Sequence, residues 1–184
     1  LAKIDAFLRH LKAPAQAALT AIFSQKIFKK GDFLLKKDET CRKSYWIEAG
    51  SARKYYLHNG KEVTTELLFP DDIAVSFSAY ALQQPSREYI QAMTEVTARV
   101  TDYGSFQELK KQYPELVELD LLLTEYYAIW LEERLVEFHT LSATERYQLL
   151  LARQPWIVLQ VPLTHIASYL GVSLETLSRI RAKP

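Results

Sequence analysis

Near the end of the chain a carboxylate and a guanidinium stand four residues apart, Glu175 and Arg179, within Ser173-Leu174-Glu175-Thr176-Leu177-Ser178-Arg179-Ile180-Arg181. On a helix that spacing sets both side chains on one face, about one turn apart. An arginine so placed can donate two hydrogen bonds to a guanine, and the carboxylate can accept from a cytosine amino group. The chemistry is the reading of base edges, not the making of bonds. Leu174, Ser178 and Arg181 fall on the same side, where Leu174 can at most touch a thymine methyl, while Leu177 and Ile180 turn inward with Val172.

Such a face needs a second helix and a tight turn to hold it. After Pro162, Thr164 is the expected cap of a helix in which Ile166, Ala167 and Leu170 share one side. Gly171 stands where a helix-ending residue takes a positive backbone angle, which glycine adopts without steric cost. Ser173 is placed to cap the following helix, and Glu175 in its first turn complements the helix dipole. Two short helices, a glycine turn and a polar outer face predict a helix-turn-helix whose second helix enters a DNA major groove. An ordinary helical hairpin is the competing reading. Upstream, Ser142 with Glu145 forms a capping box for a helix running to about Arg153, which Gln154-Pro155 ends. Trp156 to Val161 reads as a short β-rich piece, so the order is that of a winged helix.

The remaining chain must support this unit. Residues 2 to 24 read as two short helices, with Ile4, Phe7, Leu8 and Leu11 at helical spacing, then Pro14 followed by Leu19, Ile22 and Phe23. From Lys26 to about Tyr103 the period falls to two, in short runs separated by turn residues, of which Asn59-Gly60 is the strongest hairpin signal. Six or more short strands predict an antiparallel barrel or jelly roll. Ser105 with Glu108 reads as a capping box, and Pro114 suits the start of an unusually long helix to Phe138. That helix carries two apolar stripes: Leu116, Leu119, Leu123, Tyr126 and Trp130 on one side, and Leu121, Ala128, Leu131, Leu135 and Phe138 on the other. A helix apolar on both sides needs two partners. One is its own β domain, and the other is expected to be the same helix of a second copy.

Composition narrows the function classes. The chain has 184 residues, 48% of them apolar and 24% charged, with no apolar run long enough to span a membrane and no visible secretory signal. Cys41 is the single cysteine, so an intrachain disulfide or iron–sulfur cluster is excluded and a reducing cytoplasm is expected. Net charge is +1, but from Leu141 to Pro184 five basic residues face two acidic ones, a net +3 that leaves −2 for the rest. An enzyme of the cupin type would need clustered metal ligands, yet His10, His58, His139 and His165 are scattered. No catalytic residue, metal site or cofactor is expected.

A β roll, a long helix and a terminal winged helix-turn-helix together resemble the Crp/Fnr family of bacterial transcription regulators. Phe28-Lys29-Lys30-Gly31-Asp32, Tyr45-Trp46-Ile47-Glu48-Ala49-Gly50, Asn59-Gly60-Lys61-Glu62 and above all Ile166 through Ile180 carry the resemblance. It implies an α+β fold with a cyclic-nucleotide-binding-like β roll over 1–113, a dimerisation helix over 114–138 and a DNA-binding unit over 139–184. It also implies double-stranded DNA, a second copy through 114–138 and RNA polymerase as partners. The family's recognition helix opens with an Arg-Glu pair and has a second Arg later; Glu175 and Arg179 match, while Leu174 replaces the first Arg.

The effector site departs further from the family. Members that bind cyclic AMP use a Gly-Glu pair and a later Arg-Ser pair, and these fall on Val75-Ser76 and Ser86-Arg87. Arg87 stands one position late on a strand, so it is expected to point to the other face. Ser76, Ser86, Arg87 and Tyr126 are the candidate pocket residues; Trp46, Tyr55, Tyr80 and Tyr89 could join them or belong to the core. Cyclic AMP is not expected to bind, and the effector is left open. The rival within this fold is a ligand-sensing or interaction module that has lost DNA binding.

Overall fold

A computed structural model of the chain describes Leu8 and residues 11–182. The first of the two N-terminal helices expected from sequence lies outside the described residues, apart from Leu8 and Leu11. The second is α1 (Ala13–Ala21), with Pro14 in its first turn.

Eight strands follow or intervene: β1 (Ser24–Phe28), β2 (Phe33–Leu35), β3 (Lys43–Ala49), β4 (Ala52–His58), β5 (Lys61–Leu68), β6 (Ile73–Ala74), β7 (Tyr89–Ala92) and β8 (Val96–Asp102). They form two antiparallel four-stranded sheets, ordered β1-β8-β3-β6 and β2-β7-β4-β5. This is the expected jelly roll. Its turns follow residue type: Asn59 and Gly60 both take positive φ, 49° and 73°, and close the β4–β5 hairpin with His58 opposite Lys61. Leu34, Ile47, Leu68, Ile90, Val96 and Val100 fill the space between the sheets, and Tyr45 sends its hydroxyl to Leu34 O at 2.6 Å. A short helix, α2 (Phe77–Leu82), sits between β6 and β7; six residues are too few for a period of 3.6 to declare itself.

Helix α3 (Tyr103–Gln112) starts earlier than the expected Ser105–Glu108 box. Asp102, the last residue of β8, accepts from the amides of Gly104 and Ser105, so Ser105 is already inside the helix and Glu108 instead pairs with Lys111 at 2.6 Å. Helix α4 (Glu115–Thr140) runs 26 residues. Its inward row is Leu116, Leu119, Leu123, Tyr127, Trp130 and Arg134. The steps after Leu123 are four, three and four, so the row passes through Tyr127 and leaves the expected Tyr126 39% exposed. The opposite side carries Val117, Leu121, Ile129, Leu131, Leu135 and Val136, each at least 45% exposed.

After α5 (Ala143–Arg153), which has the expected Ser142–Glu145 capping box, the predicted β-rich piece is a helical turn, α6 (Ile157–Gln160). Ile157 and Val161 are both buried while Leu159 between them is 85% exposed. A strand would put all three on one face, whereas a helical turn unites positions four apart. No strand follows β8 among the described residues, so the winged order expected there is not formed. Helices α7 (Leu163–Leu170) and α8 (Leu174–Arg181) are the last elements among the described residues. Pro162, not Thr164, is the N-cap of α7; Pro162 O accepts from the His165 and Ile166 amides, which draws Thr164 into the first turn. Ile157, Val161, Ile166, Ala167, Leu170 and Leu177 form a C-terminal core that Phe69 and Met93 of the roll join.

Candidate functional site

Helices α7 and α8 meet at Gly171, whose φ of 70° ends α7. A Cβ there would stand 2.9 Å from Phe138 Cε1, so the turn lies directly on the end of α4. Ser173 caps α8 by accepting from the Thr176 amide at 3.1 Å. Leu177 is fully buried, Val172 and Ile180 pack beside it, and Leu174, Glu175, Ser178, Arg179 and Arg181 are all exposed. The five residues singled out for base contact thus lie together on the outer side of α8.

The pair is gripped from two sides. From α4, Arg134 donates to Tyr169 O at 2.6 Å with its guanidinium 3.7 Å from the Tyr169 ring centre. From α5, Arg146 donates to Leu170 O at 3.2 Å and to Leu141 O at 2.7 Å. Both guanidinium groups lie 4.8 Å from the Phe138 ring centre. Cations at the last carbonyls of α7 also complement its dipole. On the other side, Ser168 Oγ accepts from the Thr64 amide at 2.9 Å and donates to Glu62 O at 3.0 Å, fastening α7 to β5.

The expected effector residues divide. Ser76 and Ser86 are both buried and both serve Glu88: Ser76 Oγ donates to its carboxylate at 2.5 Å, while Ser86 Oγ accepts from its amide and donates to its carbonyl, each at 3.0 Å. Arg87 is exposed, on the opposite side of the strand entry, as its odd position requires. Tyr126 does not join Ser76 and Ser86. It lines an adjoining, mostly apolar cavity of about 170 Å³ with Trp46, Ile73, Phe106 and Leu123. Tyr55 is buried and stacked on Tyr89 with ring centres 5.0 Å apart, and Tyr80 packs on the roll core.

The pocket between the roll and α4 holds about 310 Å³ and is lined by Tyr56, Glu66, Glu88, Tyr127, Trp130 and Arg134. At its base Lys54, 2% exposed, forms an ion pair with Glu66, stands 3.9 Å from Glu88, and donates to Tyr127 Oη at 3.2 Å and Val75 O at 3.4 Å. Tyr127 in turn donates to Glu66 at 2.8 Å. Burial works to lower the Lys54 ammonium, but the Glu66 and Glu88 carboxylates outweigh it and hold it above its ordinary value. Burial raises the Tyr127 hydroxyl, with Glu66 adding to it, and burial and a bond to Glu88 push Tyr56 up to about 12. Sequence reading missed Lys54, Glu66, Glu88 and Tyr127. The pocket presents Lys54 between two carboxylates, and the arginine that lines it, Arg134, donates to Tyr169 O. Among the described residues no group of His, Cys, Asp and Glu could hold a metal ion, and no helix is long and apolar enough to cross a membrane.

Residues 25–113 match the cyclic nucleotide-binding domain. No curated protein matches the sequence. Among solved structures, FixK2 from Bradyrhizobium japonicum is 18% identical over 88% of this chain and 84% of its own, with a TM-score of 0.78. A crp/fnr-family protein from Eubacterium rectale is 20% identical over 94% and 82%, with a TM-score of 0.69. CooA from Carboxydothermus hydrogenoformans, as a variant, is 21% identical over 89% and 76%, with a TM-score of 0.66. Residues 25–113 thus match the cyclic nucleotide-binding domain, and the chain that carries them has the fold of the Crp/Fnr-type regulators.

Proposed function

We propose that the chain is a sequence-specific, DNA-binding transcription regulator of the Crp/Fnr type, acting as a homodimer and not controlled by cyclic AMP. The observation that carries this reading is the exposed face of α8, where Glu175 and Arg179 stand side by side behind the Gly171 turn. The working division is an effector-type roll over 1–113, a dimerisation helix over 114–138 and a DNA-binding unit over 139–184, here a helix-turn-helix without wing strands in the described residues. The exposed stripe of α4 from Val117 to Val136 supports the dimer, since a contiguous apolar helix face in water favours a second copy.

The pocket supports independence from cyclic AMP. An anionic phosphate entering it meets Glu66 and Glu88; Lys54 at its base is already paired with both, and Arg134 in its lining is bonded to Tyr169 O. Charge-assisted binding of a phosphate needs a donor that is not so engaged.

Substitution of Arg179 tests the DNA reading. If Arg179 reads a base, Arg179→Ala costs roughly 1–3 kcal/mol on the best site and relaxes specificity at one base pair in each half-site. Binding of the variant to a panel of single-base operator changes, chosen after selection from a random DNA pool, gives the answer. Uniform weakening across the panel would mean that Arg179 touches phosphate only. Failure of the unaltered protein to enrich any sequence would leave an interaction module in place of a regulator.

A further inference from the structure

Arg53 of β4, 4% exposed, ties three elements together. Its Nη2 donates to Glu62 of β5 at 2.6 Å and to Gln91 of β7 at 3.0 Å, and its guanidinium lies 4.2 Å from the Tyr55 ring centre. Its Nη1 is 3.0 Å from Nδ1 of His165 on α7. A guanidinium has only donors, so His165 Nδ1 must supply a lone pair and the ring proton must sit on Nε2. A protonated imidazole donates from both nitrogens. It has nothing to accept with, and it sets two cations against each other at that distance.

We propose that His165 makes the seating of α7 on the β4–β5 hairpin depend on pH: the neutral ring holds Arg53, and protonation releases it and loosens α7 and α8 from the roll. The neighbouring bonds of the seam, Thr64 amide to Ser168 and Ser168 to Glu62 O, lie about one turn along α7 and do not titrate. They carry no titratable group and so give the seam no pH dependence of their own. The charged groups facing the imidazole are Arg53 from β4 and Glu62 from β5. Glu62 already accepts from Arg53 and its side chain is 45% exposed, so water and Arg53 blunt its pull on a second cation. Burial, then Arg53, lower the imidazole from its ordinary value, with Glu62 opposing.

The sign follows. The released ring has the ordinary value near 6.5 and the seated ring a lower one, so the released form binds the proton more readily. Seating is complete above about pH 6.5 and weakens as pH falls below it. Each pH unit by which the seated value is lowered multiplies the ratio of released to seated form by about ten once both values are passed.

The seam itself stands without the DNA-binding reading; only its effect on DNA affinity rests on that reading. The test uses the full chain without DNA, by NMR of the histidine rings and by amide hydrogen exchange between about pH 7.5 and 5.5. The expected result is a His165 ring titrating below 6.5. The α7 amides and the Thr64 amide should lose protection over the same range, after correction for intrinsic exchange. In His165→Asn, whose side-chain oxygen offers Arg53 an acceptor that does not titrate, protection should stay level. A ring titrating at or above 6.5, or the same loss of protection in His165→Asn, overturns the proposal; the ring titration in the unaltered protein decides it even if that variant fails to fold. DNA affinity over the same pH series forms a separate arm, where a pH-dependent seam with no DNA binding at any pH would sink the regulator reading alone.

Discussion

Replacing Lys54 by methionine removes the one cation between Glu66 and Glu88 while keeping most of the volume of the stem. The side chains of the two glutamates are 10% and 8% exposed, so neither can turn to water for compensation. Breaking a buried pair in this way costs about 3–5 kcal/mol, because an uncompensated charge is left inside. The exposed Lys111–Glu108 pair, at 69% and 66% exposure, is worth at most about 0.5 kcal/mol and serves as the control. With a urea m-value of about 2–3 kcal/mol/M, Lys54→Met should lower the unfolding midpoint by roughly 1–2.5 M. Adding Glu66→Gln should recover part of the loss, since the pair is then removed together and its desolvation no longer has to be offset. A loss below about 1 kcal/mol for Lys54→Met, or a double variant as unstable as the sum of the singles, would refute the view that this network is a closed, mutually dependent unit.

Glutamates at Leu121 and Leu135, both more than half exposed on the outer stripe of α4, should make the chain monomeric in sedimentation at micromolar concentration; a monomeric unaltered protein would remove the dimer instead. Calorimetry with cyclic AMP should show no binding at physiological concentrations, and a micromolar dissociation constant would show that the Lys54 network opens to admit a phosphate. Gly171→Ala should cost at least roughly 1–2 kcal/mol from the left-handed backbone alone, with Phe138 forced to shift besides, and a urea midpoint within error of the unaltered protein would contradict that turn geometry.

Features carried by local chemistry were legible before any coordinates. Asn59-Gly60, Gly171, Ser173 and the Ser142–Glu145 box each need only neighbouring residues to act, and each acts as its type predicts. The outer face of α8 was legible for the same reason. The pocket was not, because its members meet through register. Counting back from the Asn59-Gly60 turn places Lys54 opposite Thr65, but a register shift between Lys54 and Tyr55 brings Glu66 opposite instead. That single irregularity turns an apparently ordinary hairpin lysine into the centre of a buried charge network. The inward row of α4 shifted from Tyr126 to Tyr127 for a related reason: both fit a three-four pattern, and the bond Tyr127 accepts from Lys54 and the one it donates to Glu66 are long-range contacts that the pattern does not contain. The Trp156–Val161 run misled because β-branched residues suit a strand only where an edge is available to pair with.

The Gly171 turn, the Phe138 ring and the two arginines over that ring form a keyed joint between a long shaft and a short head. Helix α4 spans about 39 Å at 1.5 Å per residue, and it touches the roll pocket through Tyr127 and the turn through Phe138 and Arg134. A single added carbon at Gly171 would stand 2.9 Å from the Phe138 ring, so the head sits tightly against the shaft. Holding the Gly171 turn to the far end of α4 therefore falls to one ring and two guanidinium groups, none of which the roll supplies.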